Sequence, residues 1–246
     1  MNLVARVLFE YPPPIIELFF VIAHIFIAGL WYHRIYMDAI NVIFYIAILV
    51  MSVVIHEVSH GFAAEYFGDK TSRFAGRLTL NPLKHLDFFG SVFLPLVLVL
   101  SHSPFLLGWA KPVPYNPDNL SNKKWGTITV AGAGILANLA VAILFGFIIR
   151  LTLNFSSSLS LPEGFYFITS IIVVVNLALG IFNLIPIPPL DGSKILLSFL
   201  PESAFAFIRA YEQYSLIILI VFIFFFSAYL TPILAFLFSF FTGLAF

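Results

Sequence analysis

The strongest constraint on this chain is the length and continuity of its apolar runs, at about residues 15–31, 39–66, 89–107, 127–151, 165–187 and 214–246. Soluble domains carry roughly 25% charged residues, and this one carries 10% beside 61% hydrophobic residues. A bilayer is the solvent such runs require. Where they meet lipid they must be helical, because each unsatisfied backbone group costs several kcal/mol there. Spans of about twenty residues use up most of the 246 positions, so the expectation is an all-α polytopic transmembrane helix bundle forming one membrane-embedded domain over 1–246.

The runs are not equivalent. Residues 39–66 would extend roughly 42 Å as a helix against a hydrocarbon core of about 30 Å, so the last turns approach one surface. Residues 89–107 are short and broken by Pro95 and by Ser101, His102, Ser103 and Pro104. Lysine and arginine concentrate on the cytoplasmic side of short loops. If 89–107 spans, the count ties: Arg6, Lys70, Arg73, Arg77, Lys84 and Arg150 on one side, and Arg34, Lys111, Lys123, Lys124, Lys194 and Arg209 on the other. If it dips in and returns, the count becomes ten against two, with only Arg34 and Arg150 outside. The re-entrant arrangement is preferred. It puts the N-terminus and an excursion from Gly68 to Gly126 on the cytoplasmic side. Alternation of Phe74, Leu78 and Leu80 within Thr71–Asn81 predicts short strands there. In the final run, Pro232 is the expected break.

Other features exclude classes. Zero net charge gives no field to recruit nucleic acid. The absence of cysteine removes disulfides, thiolate metal sites, cysteine nucleophiles and cysteine lipidation together. Glu10, Tyr11 and Pro12–Pro14 precede the first apolar run, unlike a cleavable signal peptide. No internal repeat marks an inverted-repeat transporter.

Chemistry is concentrated in His56, Glu57, Val58, Ser59 and His60, near the end of the second run. On a helix, positions i and i+4 share a face, so both imidazoles reach one tetrahedral ion while Glu57 sits beside its open position as general base. Chance produces such a His-Glu-x-x-His pattern in roughly one chain of this composition in a few hundred. Three ionisable groups within five residues of an apolar helix also need a compensating partner, and a metal supplies one.

A catalytic zinc takes three protein ligands. The candidates for the third are His24, His33, His85, His102, Asp87, Glu65, Asp69 and Asp191. Asp191 follows an apolar run and the sequence Asn183 to Leu190, whose three prolines forbid regular helix, and Gly192 allows a turn. The plainer alternative is that Asp191 caps a helix over Ser193–Phe199. Depth separates the two topologies, since only the re-entrant one returns Asp191 to the side where His56 and His60 lie.

His56–His60, Gly68–Asp69, Gly76–Pro82, Gly108–Pro114 and Asn183–Gly192, in that order, resemble the site-2 protease family of intramembrane zinc metalloproteases, in its compact prokaryotic form without a PDZ domain. The resemblance covers most of the chain. It implies one Zn2+ held by His56, His60 and Asp191, Glu57 as the catalytic glutamate, membrane-spanning protein substrates, and residence in the cell (inner) membrane of a prokaryote. It also implies that Asn138, in Gly134–Asn138, lies near the site and offers its amide to substrate backbone or oxyanion. The plainer role for Asn138 is an interhelical hydrogen bond, and for Asn183 the satisfaction of broken backbone. The chain departs from the family where it has Ile135 and Phe88 in place of proline and Ser193 in place of glycine. These departures bear on substrate fit and local helix geometry and remove no ligand. Two other functions use the same residues: a zinc transporter or sensor, for which Glu57 is dispensable, and an inactive membrane scaffold, which needs no zinc.

Overall fold

The computed structural model describes residues 39–93, 97, 110–155 and 161–246. Helix α1, Ala39–Tyr66, occupies the whole of the second apolar run. It stops where glycine permits. Gly68 has φ +103°, its N–H donates to Glu65 O at 2.9 Å, and the N–H of Asp69 donates to Ala64 O at 3.0 Å. This is a Schellman closure, which satisfies the last carbonyls before the chain turns away.

The next membrane helices are α3, Lys123–Asn154, and α4, Glu163–Leu184, preceded by the four-residue α2, Thr71–Phe74. With α1, these two are long and apolar enough to cross a bilayer. Helix α3 is central, packing along both α1 and α4 and meeting the short α5, Asp191–Leu197, and the C-terminal α8, Leu230–Thr242. One core joins Ala142 and Ile149 of α3 to Val173 and Leu177 of α4 and Leu234 and Phe238 of α8. Another joins Leu49 and Val53 of α1 to Ile171, Val175 and Leu179 of α4. Large apolar side chains such as Ile43, Leu144, Phe147, Phe224 and Phe236 remain exposed, as befits a lipid-facing surface.

Helices α6, Phe205–Gln213, and α7, Ser215–Phe226, meet at a bend of 58°. The break in the final run lies at Ser227–Tyr229, ahead of Pro232. Proline in the first turn of α8 removes no intrahelical bond, since N–H groups there have no partner within the helix. Pro232 therefore begins a helix and does not interrupt one.

The excursion after α1 corrects the expectation of strands over Thr71–Asn81. Residues 71–74 form α2, Gly76 turns at φ +63°, and Pro82–Lys84 form a 3-10 turn. The apparent alternation fails because Phe74 and Leu80 are exposed, while the buried side chains are Ser72 and Arg77. Among the described residues the excursion's β-structure is one antiparallel bridge, Leu86 to Ala110, extended by Lys111 N–H donating to His85 O at 2.7 Å. That bridge pairs the residues that flank the run 89–107. Phe88–Phe93 form a π-helical turn. Apart from residue 97, the rest of that run lies outside the described residues, as do the run 15–31, the N-terminus, His24, His33 and His102.

Asp69 anchors this excursion. Its fully buried carboxylate accepts from the N–H and hydroxyl of Thr71 (3.2 and 2.5 Å), the N–H of Asn116 (2.7 Å) and the amide of Asn119 (2.8 Å). Burial pushes its pKa up, but the hydrogen bonds from Thr71, Asn119 and Asn116 outweigh that and hold it below the ordinary aspartate value. A carboxylate depressed by folding contributes stability above the unfolded pKa of about 3.9 and loses it as pH falls through the native one. Asp69→Asn is expected to cost about 1–3 kcal/mol at neutral pH. Thermal melts in detergent should show the gap to wild type closing below about pH 4; a gap constant down to pH 3 would mean that the charge of Asp69 contributes nothing.

Candidate metal centre

Three elements build the site. Helix α1 carries His56 and His60 on successive turns with Glu57 next to His56, and ligand atoms of these three lie within 4.8 Å of one another. The two imidazoles stand perpendicular, with centroids 4.6 Å apart. The proline-rich turn after α4 then delivers Asp191 as the first residue of α5. Its Oδ2 lies 3.0 Å from His56 Nε2 and 3.1 Å from His60 Nε2. His56, His60 and Asp191 are all buried, and Glu57 is half-buried.

The other nitrogens of the imidazoles decide what this convergence can bind. His60 Nδ1 lies 2.6 Å from the backbone oxygen of Val130, and His56 Nδ1 lies 2.6 Å from Oδ1 of Asn138. A carbonyl oxygen only accepts, so each ring carries its hydrogen on Nδ1 and presents a lone pair at Nε2. Two such lone pairs and a carboxylate oxygen facing one volume repel one another unless a cation lies among them. Zinc bonds of about 2.0–2.1 Å set tetrahedral ligand atoms about 3.3 Å apart, a few tenths of an ångström beyond the observed spacing. Two neutral imidazoles and one carboxylate are also an ordinary catalytic-zinc donor set. The residues fit the metal.

Asp191 does not cap its helix. Leu190 precedes α5 as its N-cap without a side-chain bond, and Asp191 turns inward. Its second oxygen, Oδ1, accepts from Lys194 Nζ at 2.9 Å. Burial alone works against that ammonium, yet the adjacent Asp191 carboxylate outweighs it and raises the Lys194 pKa above its ordinary value. In the sequence Lys194 figured only as a positive charge; its i, i+3 spacing from Asp191 on a helix was the available signal.

Glycines create the space for these contacts. A Cβ at Gly134 would lie 2.6 Å from Cε1 of His56, so α3 approaches that ring as only glycine allows. At Gly192 a Cβ would lie 2.2 Å from the backbone oxygen of Leu184. Gly192 thus serves close backbone packing under a helical conformation, and not the turn expected from sequence. Glu57 is held from the excursion, where Val113 N–H donates to its Oε2 at 2.9 Å. Arg77 keeps that segment in place, donating to Lys84 O, to Lys111 O at 2.6 Å and to Pro112 O at 2.9 Å.

The remaining candidates lie elsewhere or serve other partners. His85 is buried with Nε2 on Thr79 O at 2.9 Å, Glu65 pairs with Arg73, and Asp87 accepts from Gly90 N–H at 2.8 Å. Asn183 donates to Leu179 O in its own helix at 3.0 Å, and the Ser193 hydroxyl donates to Leu190 O at 2.7 Å. Ile135 is buried and Phe88 exposed. Asn138 meets the ring edge of His56 opposite Asp191, and both its amide hydrogens are engaged, on Ser52 O at 3.1 Å and Asn176 Oδ1 at 2.8 Å.

A His-Glu-x-x-His helix facing an aspartate at the start of a second helix, inside a bundle of bilayer-length helices, defines a membrane-embedded metallopeptidase. The chain belongs to peptidase family M50, the site-2 protease family, which it matches over residues 44–227, a range that contains the whole cluster. It is 35% identical over 175 residues to "Putative zinc metalloprotease YwhC" of Bacillus subtilis (strain 168), covering 70% of this chain and 76% of that protein. It is 32% identical over 174 residues to "Putative zinc metalloprotease Rip2" of Mycolicibacterium smegmatis, covering 70% of this chain and 62% of that one. No solved structure matches it. The chain is an integral membrane metalloprotease, and the resemblance noted from the motifs is a family membership.

Gly192→Ala should cost about 1–3 kcal/mol through overpacking against rigid backbone. It should also weaken zinc binding at least about tenfold by shifting Asp191. Thermal melts and chelator competition check both effects. Unchanged zinc affinity would show that the placement of Asp191 does not depend on this close approach.

Proposed function

We propose that the chain is a zinc endopeptidase that hydrolyses peptide bonds of membrane-spanning proteins, holding one zinc per chain through His56, His60 and Asp191. The observation that carries this is the convergence of three lone pairs, His56 Nε2, His60 Nε2 and Asp191 Oδ2, beside a carboxylate already oriented by a backbone donor. Zinc at that position supplies Lewis acidity, lowering the pKa of water to about 7 and stabilising charge on the scissile carbonyl oxygen.

The chain's own residues supply the proton chemistry. Glu57 keeps one oxygen on Val113 N–H, and the other takes a proton from the attacking water and returns it to the leaving amine. Lys194 neutralises the outer oxygen of Asp191 and so limits the uncompensated charge buried at the site. A transmembrane substrate pairs its own carbonyls and N–H groups and must unwind before attack. The extended backbone at Ala110–Pro114, passing beside Glu57, is where the unwound segment would be drawn in by strand pairing.

The same reading places the enzyme in a prokaryotic cell membrane with its N-terminus cytoplasmic. Supporting this, Lys70, Arg73, Lys84 and Lys111 lie on the excursion and Lys123 and Lys124 open α3, whereas Arg150 stands near the far end of that helix. The lipid bilayer is then a permanent partner, and substrates reach the site laterally. Neither metal transport nor a scaffold role gains from the geometry, because both leave the orientation of Glu57 without a purpose.

The test uses purified, zinc-loaded chain in detergent with single-span substrates. Glu57→Gln should retain one zinc per chain and lose cleavage by at least about a hundredfold. Asp191→Ala should lose the zinc itself. Cleavage retained by Glu57→Gln, or by metal-free wild type, would overturn the mechanism.

A further inference from the structure

Behind the metal-facing edge of His56 lies a buried polar chain across three helices. His56 of α1 meets Asn138 of α3, which meets Asn176 of α4, which returns to Ser52 of α1, one turn before His56. All four side chains are buried. His56 Nδ1 lies 2.6 Å from Asn138 Oδ1, and Asn138 Nδ2 donates to Asn176 Oδ1 at 2.8 Å and to the backbone oxygen of Ser52 at 3.1 Å. Asn176 Nδ2 donates to Ser52 Oγ at 2.9 Å and to the backbone oxygen of Ile172 at 2.9 Å.

The direction of every bond in this chain is fixed from its ends. An amide side chain is ambiguous until a neighbour with one role decides which end is nitrogen. The oxygen of Ile172 can only accept, so the end of Asn176 facing it is nitrogen and the other end is an acceptor. That acceptor, together with the Ser52 carbonyl, draws in both hydrogens of Asn138 and leaves its oxygen toward His56. The ring must then donate from Nδ1, which leaves Nε2 unprotonated on the side of Asp191. A reversed Asn138 would present its NH2 to His56, favour the other tautomer and withdraw the metal-binding lone pair.

We propose that Asn176, with Ser52, is a positioning residue for the catalytic metal. It orients the Asn138 amide, and through it the tautomer and ring position of His56. This rests on the zinc reading above and assigns Asn138 to holding a ligand, in place of the contact with substrate backbone or oxyanion that the family resemblance implies. The two histidines are then secured differently: His60 directly by a backbone carbonyl, which no substitution removes, and His56 through the side chain of Asn138. The obvious competitor is that the amides only join helices within the membrane.

Zinc affinity separates the two, because joining helices affects stability and leaves the tautomer of His56 alone. The measurement is chelator competition for zinc on the full purified chain in detergent, beside thermal melts of the same samples. Asn176→Ala and Asn176→Leu should weaken zinc binding about ten- to hundredfold. Asn138→Asp, whose carboxylate accepts from His56 whichever way it turns, should make affinity independent of residue 176, so Asn138→Asp with Asn176→Ala should bind zinc as Asn138→Asp alone does. A lower melting temperature with unchanged zinc affinity in every Asn176 variant that folds would overturn the proposal. So would an Asn176→Ala effect undiminished in the Asn138→Asp background. Should only one of Asn176→Ala and Asn176→Leu fold, that one decides; should neither, Ser52→Ala, which keeps the backbone carbonyl and removes the hydroxyl acceptor, is read by the same criterion. Wild-type chain that takes up no zinc would instead sink the metalloprotease reading from which this one starts.

Discussion

Everything polar in this bundle answers to the cost of holding charge and lone pairs in a low-dielectric interior. A carboxylate and two imidazoles brought to about 3 Å from one another, away from water, are unfavourable unless each atom has a partner. The structure supplies partners to the outward-facing atoms: Val130 O, Asn138 and Lys194 take up His60 Nδ1, His56 Nδ1 and Asp191 Oδ1. What remains unsatisfied is the inner face, where three donor atoms address one point. The rest of the fold can be understood as the scaffold that makes this tolerable. α3 supplies both histidine partners, and α5 brings the aspartate together with its own counter-charge.

The excursion between α1 and α3 contributes in a different way. It adds none of the three converging atoms, yet it orients Glu57, because Val113 N–H reaches that carboxylate only if the segment from Ala110 to Pro114 lies against α1. Gly61 allows that approach: a Cβ there would come within 2.8 Å of Val113 Cγ1. Ser72 then donates to Pro114 O, and Arg77 clamps Lys84, Lys111 and Pro112 from the other side. Asp69, at the root of the excursion, ties its start to Asn116 and Asn119 near its end. A loop that sequence composition marks as irregular is in fact stapled at both ends and in the middle, which is what holding Glu57 in one orientation demands.

The parts of this design that were legible in sequence are those governed by periodicity and chemistry along the chain. The bounds of α1, the His56–His60 face and the return of Asp191 to the same depth follow from run length, the i, i+4 rule and charge placement. Alternation over Thr71–Asn81 does not make a strand, because the Asp69 carboxylate gathers Thr71 into a turn and Gly76 reverses the chain. The break in the last helix was misplaced because proline disrupts an interior turn and not a first one. Gly192 matters for its close approach to Leu184 O, eight residues earlier, and not for a turn. Lys194 and Asn176 were missed altogether. The contacts of Asn176 run between helices, which no local pattern records, whereas Lys194 offers only its i, i+3 spacing from Asp191, a pattern common on any helix surface.

The depth of the site follows from α1 itself. His56 and His60 precede the helix end at Tyr66 by ten and six residues, so at 1.5 Å per residue they lie roughly 15 and 9 Å from that end. The start of the helix is roughly 25–30 Å away in the other direction, about the full thickness of a hydrocarbon core. On the function proposed above, water for hydrolysis would have a short route from the Tyr66 end and a long one from the other. Polar contacts lie on the short side: Val113 of the excursion holds Glu57 and Lys194 of α5 holds Asp191, whereas toward the start of α1 Leu49 and Val53 pack into an apolar core with α4. On that proposed function, such an enzyme would keep its reaction inside the membrane and draw its second substrate, water, from one surface. The excursion that orients Glu57 borders that same route, so on the proposed function substrate backbone and water would be admitted past the same few residues.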